Sequence, residues 1–181
     1  LIFEGEYKKN SFLNFNDITY NENETFLNLK KIFLDKNFKI IKLKKLKLNF
    51  IDTNKKENNF FLLKSDNDYK LKSDNFDASI FLYSLLNDSD DFKFNKIFRN
   101  LNTNIYLDFK KTFLDEKTYL NNLSGTIQFE KNKITNVSIN SKFFDNKKIN
   151  FSIRTNDIGE KITTLYSGNA APLVQKYNFI K

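Results

Sequence analysis

The residue types that carry most enzymatic chemistry are missing from this sequence. Its 181 residues include no His and no Cys. Ser-His-Asp and Cys-His arrangements are therefore excluded, as is any imidazole or thiolate metal site. The four glycines stand apart from one another, so a Gly-rich phosphate loop is also missing. We expect no enzymatic activity, no catalytic residue and no cofactor.

Carboxylates are the remaining candidates for a metal site. The densest acidic cluster contains Asp66, Asp68, Asp74 and Asp77. It lacks the central Gly and the terminal Glu of an EF-hand calcium loop. We interpret the cluster as a turn followed by a helix cap at Asp77, with no metal bound.

The positive charge of the chain comes almost entirely from Lys. The net charge is +8, yet only Arg99 and Arg154 are Arg. Scattered Lys mainly gives solubility and diffuse attraction to anionic surfaces, whereas Arg suits bidentate phosphate contacts. Nucleic acid is therefore not expected as a partner. A basic nucleic-acid-binding module stays open as an alternative, and it would need Lys and aromatic side chains on one shared face.

Alternation of apolar and polar residues predicts a mostly β fold. Side chains at every second position of a strand share one face. The pattern is clearest at residues 104–109, 126–129, 136–140 and 149–153, and it recurs at 45–50. The connections are short and rich in Asn and Asp, which favours antiparallel pairing of neighbouring strands.

Two segments have helical spacing instead, one near residues 78–86 and one near 169–179. Each follows a strand and a short polar turn. This recurrence predicts two β-repeat units, 1–90 and 91–181, each ending in a short helix. No apolar run reaches the roughly 18 residues of a membrane helix. Because the first residue is Leu1 and not Met, we interpret the chain as part of a longer protein.

The apolar faces of so many strands need a cover, and two short helices are too small to provide it. The sheet could fold over into a closed β-sandwich, which would serve as a structural or adhesive repeat. Alternatively, it could curve into an open groove with an accessible apolar lining. The alternation alone favours the closed sandwich.

Nine apolar residues in the second half of the chain occupy alternate positions of their strands, which would place them on one concave face of the sheet. These candidate lining residues are Ile105, Leu107, Phe109, Ile127, Phe129, Val137, Ile139, Phe151 and Ile153.

The C-terminal segment has a motif in which a strand is followed by a polar residue, small residues and paired aliphatic residues. The motif residues are Asn169, Ala170, Ala171, Leu173, Val174 and Tyr177. This segment resembles the AsmA-like C-terminal region of the AsmA, TamB and YhdP superfamily of bacterial envelope proteins. Asn169 stands where that family usually has Asp, and Pro172 and Tyr177 depart from its usual Ala and Leu.

The resemblance implies a fold and a function. The implied fold is a long, curved antiparallel sheet with an open apolar groove, and it reverses the preference for a sandwich. The implied function is that of a periplasmic segment in the bacterial cell envelope, which carries phospholipid between the inner and outer membranes. Phospholipid acyl chains would be the partner, and an anchor in the inner membrane would lie outside this chain.

Overall fold

Eleven β-strands make up most of the part of the chain that the structure describes. The computed structural model describes residues 1–8, 12–79, 97–156, 158–171 and 173. The strands are β1 (Ile2–Lys8), β2 (Phe12–Glu22), β3 (Thr25–Leu34), β4 (Ile40–Ile51), β5 (Glu57–Ser65), β6 (Asp68–Asp77), β7 (Thr103–Phe113), β8 (Tyr119–Glu130), β9 (Lys133–Phe143), β10 (Lys148–Thr155) and β11 (Lys161–Ser167). They form one open sheet in sequence order, with β1 and β11 at its two edges. The mostly β, open-sheet fold predicted from the sequence is confirmed.

Nine of the ten strand pairings are antiparallel, as the short polar turns predict. The exception is the parallel pair β6 and β7, in which Tyr69 lies opposite Ile105. A parallel pair needs a connection that returns the chain to the same end of the sheet. Residues 78–102 connect β6 to β7, and a connection of this length is long enough to return the chain. The meander expected from the sequence is therefore interrupted here. The boundary between the two predicted units, 1–90 and 91–181, would lie within this connection. The division into two units stays a prediction.

Four hairpin turns share one hydrogen-bond pattern. The N–H of Asp35 donates to the carbonyl of Lys39, and the N–H of Phe38 donates back to the carbonyl of Asp35. The Asp35 carboxylate accepts two further backbone N–H groups within the turn. The same backbone bonds recur in the turns 52–56, 143–147 and 156–160. The fourth turn residue has a positive φ in each case, at Phe38, Lys55, Asn146 and Gly159.

Helix is nearly absent from the described part of the chain. Of the helix predicted near 78–86, only Ser79 belongs to the described helical residues. Of the helix predicted near 169–179, Ala171 and Leu173 are described and helical. Ala78, Asn169 and Ala170 are described and are not helical, and the other residues of both predicted helices lie outside the described part of the chain. The structure therefore shows neither helix as a complete element. The motif residues Val174 and Tyr177 also lie outside them.

The buried core lies mainly on one side of β7 to β10. Burying apolar side chains is the main favourable contribution to folding, so this cluster anchors the sheet. Phe143, at its centre, has no exposed surface. The cluster consists of Leu107, Phe109, Leu114, Leu120, Leu123, Phe143, Ile149 and Leu173.

Gly125 is the point of closest approach between β8 and β9. A Cβ atom at this position would overlap the backbone of Ser138 and Ile139. Backbone atoms cannot move aside as a flexible side chain can. We predict that Gly125→Ala lowers the free energy of unfolding by about 2 kcal/mol or more, measured by urea denaturation.

The neighbouring substitution Ser124→Ala is the control for Gly125→Ala. Ser124 is exposed, so its replacement should change the free energy of unfolding by less than about 0.5 kcal/mol. If the Gly125→Ala variant were as stable as the unsubstituted protein, β8 and β9 would have to leave room for a Cβ atom at this position, which would contradict the prediction.

Candidate functional site

The strand register brings the nine predicted lining residues to one face of the sheet. Ile105 is paired with Ile127, Ile127 with Val137, and Val137 with Ile153. Paired residues point to the same side of a sheet, as do residues two positions apart along a strand. The other five predicted lining residues lie two or four positions from these four along the same strands, and therefore on the same side. They are Leu107, Phe109, Phe129, Ile139 and Phe151. We call this side the apolar face.

A single line of directly paired residues crosses the apolar face from β2 to β11. We call it the apolar row, and at the usual strand spacing it spans about 43 Å. Nine of its ten members are apolar side chains, and the tenth is Gly125. The row is Ile18, Leu29, Leu46, Leu62, Leu71, Leu107, Gly125, Ile139, Phe151 and Leu165.

The apolar row is half-buried along most of its length. Leu107, near its middle, is 7% exposed, whereas Leu165 on the edge strand is 38% exposed. The remaining members have intermediate exposure. A row at the centre of a closed core would be buried throughout, so these side chains keep part of their surface accessible.

Phenylalanine rings lie beside the middle of the apolar row. Phe60, Phe76 and Phe109 pack edge to face, with centroids separated by 5.0 Å for Phe60 and Phe76 and by 5.5 Å for Phe76 and Phe109. Phe50 stacks on Phe60 at 6.4 Å. Such pairs add stability beyond the area they bury. The cluster therefore joins β4 to β7 across the parallel junction.

The opposite side of the sheet, the polar face, carries amide and hydroxyl side chains on β7 to β10. Gln128 accepts a hydrogen bond from the Asn136 amide at 2.7 Å, and Asn140 accepts one from Asn150 at 2.6 Å. Ser138 is exposed on the same side. Gln128 and Ser138 therefore face away from the nine predicted lining residues.

A groove of about 840 Å³ opens on the polar face between β4 and β7. Lys47, Phe61, Lys72 and Asp108 lie along it, in directly paired positions. None of the nine predicted lining residues borders it. On this part of the polar face, Lys and aromatic side chains share one surface.

The motif residues near the C-terminus hold the chain against β9 and β10. The Asn169 amide donates to the Asp145 carboxylate at 3.4 Å. The N–H of Leu173 donates to the carbonyl of Ala170 at 3.0 Å. Leu173 is 7% exposed and belongs to the core cluster. Leu173 therefore has a packing role and Asn169 a hydrogen-bonding role, whereas Ala170 and Ala171 are exposed.

Asp77 caps the segment that follows β6, as the sequence predicts. Its carboxylate accepts the N–H of Ser79 at 2.9 Å and the Asn54 amide at 3.0 Å. The Lys56 ammonium lies 3.6 Å away, and the Asp77 side chain is 3% exposed. Burial opposes ionisation, but the Ser79 and Asn54 hydrogen bonds and the Lys56 charge outweigh it and lower the pKa of Asp77.

The acidic residues grouped in the sequence have separate partners in the structure. Asp68 accepts the N–H of Asn104 at 2.9 Å, and Asp74 pairs with Lys110 at 2.6 Å. In the ranges that the structure describes, no three His, Cys, Asp or Glu side chains are grouped so that they could hold a metal ion.

Comparison of the chain with known protein families, with characterised proteins and with solved structures finds no match. The resemblance to the AsmA-like region therefore stays a hypothesis based on the motif residues. No helix in the described part of the chain is long and apolar enough to cross a membrane.

The lowered pKa of Asp77 predicts a loss of stability in acid. A depressed folded-state pKa gives stabilisation that is present above the unfolded value, near 3.8, and is lost as the pH falls through the folded value. We expect Asp77→Asn to cost about 1–3 kcal/mol at neutral pH. The difference from the unsubstituted protein should narrow between about pH 4 and pH 2 in urea denaturation. A constant difference across that range would contradict the prediction.

Thr112 places an unpaired hydroxyl in the core. It is 2% exposed and is paired with Phe76 and Leu120 on the apolar face. Among the described residues its Oγ1 has no hydrogen-bond partner. Thr112→Val removes that uncompensated group, so it should raise the free energy of unfolding by about 1 kcal/mol. The control Thr126→Val, on the polar face, should change the free energy of unfolding little. A lower free energy of unfolding for Thr112→Val would contradict the prediction.

Proposed function

We propose that this chain is a segment of a lipid-carrying protein of the bacterial cell envelope. Acyl chains of phospholipids lie against the apolar row and move along it between the inner and outer membranes. The chain occupies the periplasm, and an inner-membrane anchor lies outside it. It works by presenting a surface and performs no catalysis.

The apolar row is the observation that supports this proposal. Acyl chains have no hydrogen-bonding groups, so they require a continuous apolar surface without polar interruption. The row supplies such a surface across ten strands, perpendicular to the strand direction. Its half-buried side chains leave area for contact with a lipid. The direction of movement would be along the row, from one sheet edge to the other.

A closed β-sandwich with a structural or adhesive role is the main alternative. Such a fold buries its apolar face against a second sheet. The described strands form one sheet in linear order, and they provide no second sheet to cover the row. The single sheet therefore favours an accessible apolar face over a closed one.

A basic nucleic-acid-binding module is a second candidate, favoured by one specific observation. Lys47 and Lys72 flank Phe61 on the polar face, which is the shared surface that this function requires. Stacking on bases needs a free ring face. The Lys45 ammonium lies 5.0 Å from the centroid of Phe61, so part of that ring is already occupied.

Photo-crosslinking in bacterial cells tests the proposed lipid contact. A photoreactive amino acid is introduced at the half-buried positions Ile127, Ile139 and Phe151 of the apolar face, and at Gln128 and Ser138 of the polar face. We expect lipid adducts at the first three positions and none at the other two. Equal labelling of both faces, or no labelling at either, would contradict the proposal and favour a closed core.

Charged substitutions on the two faces of β9 provide a matched comparison. Ile139→Asp places a charge in the apolar row, while Ser138→Asp places one on the polar face. In an open row, Ile139→Asp should abolish the lipid adduct at Phe151 and cost less than about 2 kcal/mol of stability. Ser138→Asp should retain the adduct. Complete unfolding of the Ile139→Asp variant would instead indicate that this position lies in a closed core.

A further inference from the structure

Lysines are concentrated on the polar face of β3 to β6. Strands β3 and β4 contain six lysines and no carboxylate. Five lysines of β3, β4 and β6 lie next to members of the apolar row along their strands, so their side chains point to the opposite side. We call these five the basic patch: Lys30, Lys45, Lys47, Lys70 and Lys72.

Among the residues that the structure describes, most lysines of the basic patch have no ion-pair partner. Two of its lysines pair with Asp17 and Asp108, at 3.2 and 3.3 Å. No described carboxylate lies within ion-pair distance of Lys45, Lys47 or Lys70. Three uncompensated positive charges on one sheet surface attract an anionic partner.

Apolar side chains are interleaved with these charges. Leu63 lies between Lys45 and Lys70 in the same line of paired residues, and Tyr106 follows Lys70. Leu63 is 37% exposed and Tyr106 is 43% exposed. Lysines mixed with exposed apolar and aromatic side chains are typical of surfaces that bind the headgroup region of a membrane.

The rings on this surface favour a bilayer over single-stranded nucleic acid. The ammonium of Lys45 lies 5.0 Å from the Phe61 ring centroid, and that of Lys47 lies 5.5 Å from the Phe26 centroid. These contacts occupy ring faces that bases would need for stacking. Lys also acts as a point charge, which suits lipid phosphates that move freely in the membrane plane.

We propose that the basic patch binds the surface of an anionic lipid bilayer. Lys45, Lys47 and Lys70 contact headgroup phosphates, while Leu63 and Tyr106 enter the interfacial region. This contact uses the face opposite the apolar row. The proposal does not depend on lipid movement along that row.

Vesicle sedimentation tests the proposal with the full chain. We expect binding to phosphatidylcholine vesicles that contain about 30% phosphatidylglycerol and little binding to pure phosphatidylcholine vesicles. The triple variant Lys45→Gln, Lys47→Gln, Lys70→Gln should bind the anionic vesicles at least about tenfold more weakly. The matching Lys→Arg triple variant should retain binding. Thermal unfolding of each variant checks that it is folded.

A second triple variant distinguishes vesicle binding by the basic patch from binding that depends only on the net charge of the chain. The variant Lys133→Gln, Lys142→Gln, Lys148→Gln removes the same charge from exposed positions of β9 and β10. It should weaken vesicle binding by less than about threefold. Equal losses in both triple variants would overturn the proposal, as would absence of vesicle binding by the unsubstituted protein.

Single-stranded RNA is the competing anionic partner. Poly(U) should bind more weakly than the anionic vesicles at the same ionic strength. Tighter poly(U) binding that is lost in the Lys45, Lys47, Lys70 variant would overturn the bilayer assignment in favour of nucleic acid. Because these substitutions leave the apolar row intact, they should not change acyl-chain adducts at Ile139.

Discussion

Hydrogen-bonded partners in neighbouring strands must point to the same side of a sheet, and this constraint determines what each face of the molecule presents. A slip of one residue between two strands would exchange their faces. The apolar row exists because nine successive pairings, from Ile18 to Leu165, keep the paired side chains on the same side of the sheet. The basic patch follows from the same pairings, since Lys45 and Lys47 flank Leu46 in β4. Both candidate surfaces therefore depend on one register.

The register is preserved by local irregularities that strict alternation does not reveal. Leu120 and Leu123 both belong to the core cluster although they are three residues apart in β8. The intervening Asn122 has a φ of 52°, and the pairing of β8 with β9 shifts at this point. An extra residue of this kind lets the strand bend and keeps apolar side chains on one face. Asn accepts the left-handed conformation more readily than most residues do.

The regularity of each strand explains which parts of the fold could be predicted from the sequence. Residues 126–129 of β8, 136–140 of β9 and 149–153 of β10 alternate cleanly, so residues such as Ile127 and Val137 could be assigned to one face from the sequence. Strand β5 was missed because four successive apolar residues, from Phe60 to Leu63, hide its alternation. The same run contains Leu62 of the apolar row and Leu63 of the polar face. Continuous apolar runs do not show which residue faces which side, so neither candidate surface could be predicted there.

The parallel junction between β6 and β7 could not be predicted for a different reason. Local sequence specifies a tight turn through residues such as Asp35, whose carboxylate binds the backbone of its own hairpin. It does not specify to which end of a sheet a long connection returns. In the structure the connection returns β7 alongside β6 so that Leu71 is paired with Leu107, and this pair continues the apolar row across the junction. A shift of one residue at this junction would place Leu71 beside polar side chains and break the row at its midpoint. The parallel pair therefore joins two antiparallel groups of strands into one uninterrupted apolar surface.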